Sequence, residues 1–208
     1  VVPTFDDASW GAPFNSDVEV VHWDAMDPMQ ENFGETRPWV SPGKNDYRQF
    51  FRKGYQTINS IALDGGNEQG AFRVSYTRMD QTGNLPKSNI ARNTLNVNGS
   101  YQLSDQLAVE ASANYVNNRT TGRYGTGYDG LNVMQSFGQW IETNVDFDRL
   151  KDYKYEDGSQ RSWNWHHPTD LVPYYFDNPY WVRNESYQND GRDRIYGFGS
   201  LSYQVADW

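Results

Sequence analysis

One pattern constrains this chain more than any other: a period of two that runs through residues 57–117. In residues 94–101, Leu95, Val97, Gly99 and Tyr101 alternate with Thr94, Asn96, Asn98 and Ser100. In residues 106–117, Leu107, Val109, Ala111, Ala113 and Tyr115 alternate with Glu110, Ser112 and Asn114. Phe72, Val74 and Tyr76 repeat the pattern against Arg73, Ser75 and Thr77. A first segment, residues 57–64, is less clean, with Ile61 and Leu63 on one face but Ile58 and Ala62 on the other. Alternation of this kind gives a β-strand with one apolar and one polar face. Each segment is about 8 to 11 residues long, near what a tilted strand needs to cross a bilayer.

Periodicity alone also suits a soluble sandwich with one face on a core. Three details favour the wall of a barrel. Arg73, Asn96, Asn98, Glu110 and Asn114 on the polar face suit a wet lumen. Tyr76, Tyr101 and Tyr115 fall at the ends of their apolar rows, where rings with a polar tip mark the edge of a hydrocarbon layer. Turns at residues 64–67 and 103–105 are tight, whereas residues 81–91 and 118–191 form long loops, the asymmetry of an outer-membrane barrel.

Composition removes several alternatives. No apolar run approaches the roughly 18 residues of a spanning helix. The formal net charge is −9, with no basic stripe to meet phosphates, which argues against a nucleic-acid partner. The chain has no cysteine, so neither disulfides nor thiolate metal sites are available. Aromatics reach 16%, a surplus that suits membrane belts and also sugar or peptide platforms. Val1-Val2-Pro3-Thr4 offers no charged leader, and the chain stops at Ala206-Asp207-Trp208 directly after a strand. Both ends are expected to continue into a longer protein.

Residues 1–53 are punctuated by Asp6, Asp7, Pro13, Pro28, Pro38 and Pro42, leaving room for one short strand at residues 18–23. Trp10-Gly11-Ala12-Pro13 reads as an aromatic turn. Gly122, Gly125, Gly127 and Gly130 look like a phosphate-binding loop but lack the Lys-Ser/Thr that follows one. Residues 131–153 read as a helix, with Met134, Phe137 and Ile141 three and four apart and Asp129 or Asn132 as its cap. Beyond it lies an aromatic stretch in which Trp163, Trp165, Tyr174, Tyr175, Tyr180 and Trp181 stand among Asp, Asn and Pro. These six are the candidates for contact with a substrate or partner; packing within a large loop is the plainer explanation. His166 and His167 are adjacent and do not converge as a metal pair on a regular element. Residues 194–205 form a further strand, with Ile195, Gly197, Gly199, Leu201 and Tyr203 on one face and Tyr196 and Phe198 on the other.

Taken in order, several blocks resemble the SusC/RagA-type TonB-dependent outer-membrane transporters. They are Asn45-Asp46-Tyr47-Arg48-Gln49-Phe50-Phe51-Arg52-Lys53-Gly54, Leu63-Asp64-Gly65-Gly66, Phe72-Arg73-Val74-Ser75-Tyr76, and Gln81-Thr82-Gly83-Asn84-Leu85-Pro86. Arg92-Asn93-Thr94, Gln139-Trp140, Asn178-Pro179-Tyr180-Trp181 and Asp193-Arg194-Ile195-Tyr196-Gly197 follow. Their order and spacing carry the likeness. Trp10-Gly11-Ala12-Pro13 departs from the tighter Trp-Gly-Pro of that family.

The resemblance implies a barrel of roughly 22 strands with a plugged lumen, of which this chain holds a part. The expected fold is all-β, an antiparallel meander in a transmembrane barrel wall with a long, partly helical extracellular loop. Residues 1–56 are an irregular loop region, 57–117 four strands in two hairpins, 118–191 the extracellular loop and 192–208 a further strand. The implied setting is the outer membrane of a Gram-negative cell. Implied partners are membrane lipid, a SusD-like surface lipoprotein, the TonB complex acting through a plug, and a glycan or peptide substrate. Uptake of this kind needs no catalytic residue and no cofactor. A soluble carbohydrate-binding β-sandwich is the alternative. A glycoside hydrolase fragment is weaker still, because the 27 acidic residues single out no pair spaced for that chemistry.

Overall fold

The computed structural model describes residues 9, 11–167 and 169–206. Trp10, Asp207 and Trp208, named above in the aromatic turn and at the chain end, lie outside the described residues, as do Asp6 and Asp7. The chain is predominantly β, and its strands pair antiparallel. In order they are β1 (Asn15–Val20), β2 (Arg37–Trp39), β3 (Tyr55–Gly66), β4 (Gly70–Thr82), β5 (Asn89–Ser104), β6 (Leu107–Arg123), β7 (Trp165–His167), β8 (Asp170–Pro173) and β9 (Gln188–Tyr203). Helical turns are α1 (Val133–Gln135), α2 (Phe147–Leu150) and α3 (Pro179–Asn184). Two compact units divide the chain, one of residues 54–83, 88–121 and 189–208, the other of 1–53, 84–87 and 122–188.

The first unit is a five-stranded sheet in the order β3-β4-β5-β6-β9. It is open among the described residues, with β3 and β9 at its edges. Its register sorts the alternation into two faces. Leu63 lies opposite Val74, Val74 opposite Val97, and Val97 opposite Ala113. One row up, Ile61, Tyr76, Leu95 and Tyr115 align in the same way. Asp193 of β9 takes hydrogen bonds from Tyr115 and Asn117, so Ile195, Leu201 and Tyr203 continue this face by alternation. Among the described residues of the unit nothing covers it: Ile61 is 71% exposed, Leu201 69% and Val97 40%. The strands outrun their apolar rows. Beyond Tyr76 and Tyr115 the face turns polar, with Arg78, Asn93 and Asn117 in register. Strand pairing therefore continues where alternation is no longer visible, and the loop expected over 81–91 narrows to residues 83–88. Residues 118–123 likewise belong to β6 rather than to the loop after it.

The second unit is built around buried aromatic and aliphatic side chains. Phe50 packs edge-on against Phe137 (ring centroids 5.0 Å apart) and Tyr180 (4.9 Å). Residues 1–53 supply part of this core through Trp23, Ala25 and Phe50. The short strand expected at 18–23 is β1, shifted toward the amino terminus and paired with β2, while Trp23–Ala25 form a 3-10 turn.

A continuous helix over 131–153 does not form. α1 passes into a π-helical turn, Ser136–Trp140, that closes with Ile141 N–H donating to the Ser136 carbonyl at 3.0 Å. Ile141 is then extended. A new turn starts at Asp146, whose carboxylate accepts from the backbone N–H groups of Asp148 and Arg149. Of the expected stripe Phe137 and Ile141 are buried, but Met134 is exposed and its neighbour Val133 takes the inward position instead. The chain reaches the core by bending, with Gly138 and the Asx cap at Asp146 favouring breaks over propagation. Asn132 precedes α1 without a side-chain capping bond, and Asp129 instead accepts from Leu131 N–H at 2.9 Å.

Candidate functional site

The six aromatic candidates separate into interior and surface sets. Trp163 and Trp165 are buried, at 0% and 1% exposed. Their indole N–H groups donate to the carbonyls of Trp140 (3.2 Å) and Ser162 (2.6 Å). Tyr180 lies in the core beside Phe50. α3 begins where the Asn178 side chain accepts from Tyr180 N–H at 2.8 Å, and that cap turns Tyr180 inward. All three are packing residues.

Tyr174 and Tyr175 follow β8 and are exposed. Their rings meet edge to face at 4.1 Å; Tyr175 leans on Trp140 at 4.4 Å and Tyr174 on His166 at 4.4 Å. Trp181, half-buried, keeps different company, with Tyr153 at 6.2 Å and the Lys154 ammonium 5.7 Å above its ring. His166 pairs with Asp170 at 3.2 Å and His167 with Thr169 at 3.0 Å. Among the described residues, no group of three His, Asp or Glu side chains is placed to hold a metal ion.

Beneath this surface the unit buries several ionisable groups. Asp24 is fully buried and ion-paired to both Arg37 and Arg149. The buried Asp27 accepts from the Tyr155 hydroxyl, and burial together with that carboxylate pushes the Tyr155 phenol far up. His22 bridges the Pro38 carbonyl (3.2 Å) and Asn144 (3.1 Å). Burial pushes its pKa down, only partly offset by the bond to Pro38. Burial also lowers Arg183, with the nearby Arg52 adding to the effect. These groups tie the unit together from within.

The sheet unit presents a different kind of surface. Its apolar face ends at both margins in tyrosines whose hydroxyls turn to polar side chains. At one margin Tyr76 donates to Asn93 (2.7 Å) and Tyr115 to Asp193 (2.7 Å). At the other, Tyr101 donates to Gln69 (2.8 Å) and Tyr203 bonds Gln106 (3.1 Å). Along β6 the band from Leu107 to Tyr115 spans about 26 Å at the usual rise per residue. The opposite face is a lattice of amides and hydroxyls: Ser112 donates to Asn98 (2.6 Å), Asn96 to Ser75 (3.3 Å), and Ser60 meets Thr77 (2.9 Å). Arg92, Arg192 and Arg194 share this face with two exposed rings, Tyr196 and Phe198. None of these five residues belongs to the aromatic loop. The available signal was the pair of aromatics on the polar side of β9, which blurred the orientation of that strand.

Comparison of the sequence with protein-family models finds no match, and none of the curated proteins matches it either.

Proposed function

We propose that this chain is part of the barrel wall of a SusC/RagA-type TonB-dependent outer-membrane transporter. In this reading it imports oligosaccharides or peptides together with a surface lipoprotein. The observation that carries the proposal is the apolar face of the sheet, continuous across five strands and bounded on both sides by hydrogen-bonded tyrosines. Exposed in water, rows containing Ile61, Leu63, Ile195 and Leu201 forgo roughly 1.5–3 kcal/mol per side chain; facing lipid they satisfy the same physics that hides a core. A ring whose body sits in hydrocarbon and whose hydroxyl reaches a polar neighbour is the interfacial use of tyrosine. The hydrophilic face then lines the water-filled interior. No described helix is long and apolar enough to cross a membrane, and strands do the crossing here. A soluble sandwich requires a second layer over Val74, Val97 and Val109, and none of the three is buried.

The test is paired substitution across one strand. The full chain is mixed with phosphatidylcholine vesicles and its co-flotation measured. Val97→Arg puts a charge at mid-band on the lipid side, at a cost of about 2–4 kcal/mol, and abolishes flotation. Asn98→Arg, the next residue, points to water and leaves flotation intact. Equal behaviour of the two variants, or a wild-type chain that stays in buffer as a folded monomer, would sink the reading.

A further inference from the structure

We infer that the hydrophilic face of the sheet is a binding site for acidic oligosaccharides, built from Arg92 on β5 and Arg192, Arg194, Tyr196 and Phe198 on β9. This rests on the importer reading and deepens it by naming the class of sugar.

The first ground is an imbalance of charge on one face. The chain carries more acid than base, and other arginines of the sheet have carboxylates: Arg73 pairs with Asp64 (3.3 Å), Arg78 with Asp80, and Arg119 with Asp193 (2.9 Å). Arg92, Arg192 and Arg194 differ. Among the described residues none of the three has a carboxylate at ion-pair distance. Arg92 Nε donates to the Asn118 amide oxygen at 2.8 Å, which leaves most of its fork unused. The Arg194 guanidinium lies 5.0 Å from the centre of the Tyr196 ring, a cation–π contact that does not use its N–H donors on a carboxylate. The nearest carboxylate along β9 on this face is Asp190, which has an interaction of its own.

Register brings the three together. Arg92 is opposite Asn118, and the bond from Asn117 to Asp193 sets Arg192 across from Asn118 on the other side of β6. Two strand spacings separate Arg92 from Arg192, about 10 Å, and Arg194 is the next residue of β9 on the same face. A guanidinium fork matches a carboxylate with two parallel bonds, so three forks at this spacing suit a ligand with repeated carboxylates.

The second ground is the aromatic pair. Tyr196 is 47% and Phe198 55% exposed, on a face otherwise made of amides and hydroxyls. A ring exposed in such surroundings offers the flat apolar surface on which the C–H face of a pyranose stacks. Asn114 and Asn96 nearby supply donors and acceptors for ring hydroxyls. Cation, ring and amide together fit a uronic-acid oligosaccharide better than an acidic peptide, which has no such flat face.

The full chain in zwitterionic detergent micelles is titrated calorimetrically with tetragalacturonate, its methyl ester and tetraglutamate. Tetragalacturonate binds, and the ester and the peptide bind about tenfold more weakly for want of charge or of a stacking face. Arg92→Gln and Arg194→Gln each weaken the acid about tenfold and leave the ester unchanged; Tyr196→Ala weakens both sugars. Arg78→Gln, on the opposite face, changes nothing. Equal binding of acid and ester, equal binding of the peptide, or insensitivity to the two arginines overturns the inference. Vesicle flotation of the same preparations separates the two claims. Flotation without acid selectivity sinks the site and spares the membrane reading; arginine-dependent selectivity without flotation does the reverse.

Discussion

Arg183 Nη2 donates to the carbonyl oxygen of Gly122 at 2.5 Å, and each residue requires the other. The guanidinium is fully buried and also donates to the carbonyls of Pro86 (2.8 Å) and Arg123 (3.3 Å). Gly122 has φ +68°, and a Cβ there would meet both the Lys87 carbonyl and Arg183 Nη2. One side chain of α3 thus gathers the backbone at residues 86 and 122–123, all within its own unit.

Arg183→Met is expected to destabilise this unit by about 3 kcal/mol, since several buried carbonyls lose their donor at once. Urea unfolding followed by tryptophan fluorescence measures it. Gly122→Ala should cost a comparable amount through strain and steric conflict together. A double variant that costs less than the sum of the two single ones is the expected sign of coupling, since only the conflict with Arg183 Nη2 is relieved.

Asp24→Asn removes the negative partner of both Arg37 and Arg149. Because the carboxylate is wholly buried, the loss is about 3–4 kcal/mol rather than the fraction expected of a surface pair. Thermal unfolding should show a clear drop, whereas Asp46→Asn, which removes the exposed pair with Arg48, should shift it little.

His22 gives the unit an acid-side dependence. Its Nε2–H faces the Pro38 carbonyl, leaving Nδ1 to accept from Asn144, so the neutral ring is satisfied and the charged ring is not. Burial holds its folded pKa below the ordinary value of 6.5. The unfolded chain therefore binds the proton first, and stability is full above about pH 6.5 and declines as pH falls toward the folded pKa. Urea midpoints between pH 7 and 5 should fall less steeply for His22→Gln than for the wild type.

Tyr180 separates packing from ligand contact. Among the described residues its buried hydroxyl has no hydrogen-bond partner, and burial, with Asp148 adding to it, pushes the phenol up to about 12. Tyr180→Phe removes an unsatisfied polar atom and is expected to be neutral or stabilising by about 1 kcal/mol. It also abolishes the share of alkaline destabilisation that begins above pH 10, where the unfolded phenol ionises and the folded one does not. Sugar binding should not change. A Tyr180→Phe variant that binds sugar more weakly would return this residue to the set of ligand contacts.

The alternating stretches were legible because a strand with one oily face writes its geometry into every second residue. Leu95, Val97 and Tyr101 gave β5 its face and its neighbours. Their polar extensions were not legible: around Arg78, Asn93 and Asn117 the face itself turns hydrophilic, and backbone pairing leaves no mark on side-chain choice. The aromatic loop left packing and contact both open. Trp163, Trp165 and Tyr180 look like a binding platform because large rings are used for both purposes, and only packing distinguishes them. The stripe Met134, Phe137, Ile141 signalled burial correctly at its last two positions and helix wrongly, since apolar spacing is shared by a helix and by a chain that bends around a core, and the bend turns Met134 outward.

By itself, then, the order of residues determined which rows of the sheet are oily and which are wet, and where tyrosines terminate them, because period and face are local properties of an extended chain. Tertiary structure decided which rings are covered, which arginines keep a carboxylate and which three share a face without one. Those depend on partners that come from distant segments, and sequence spacing does not encode who meets whom across β5, β6 and β9.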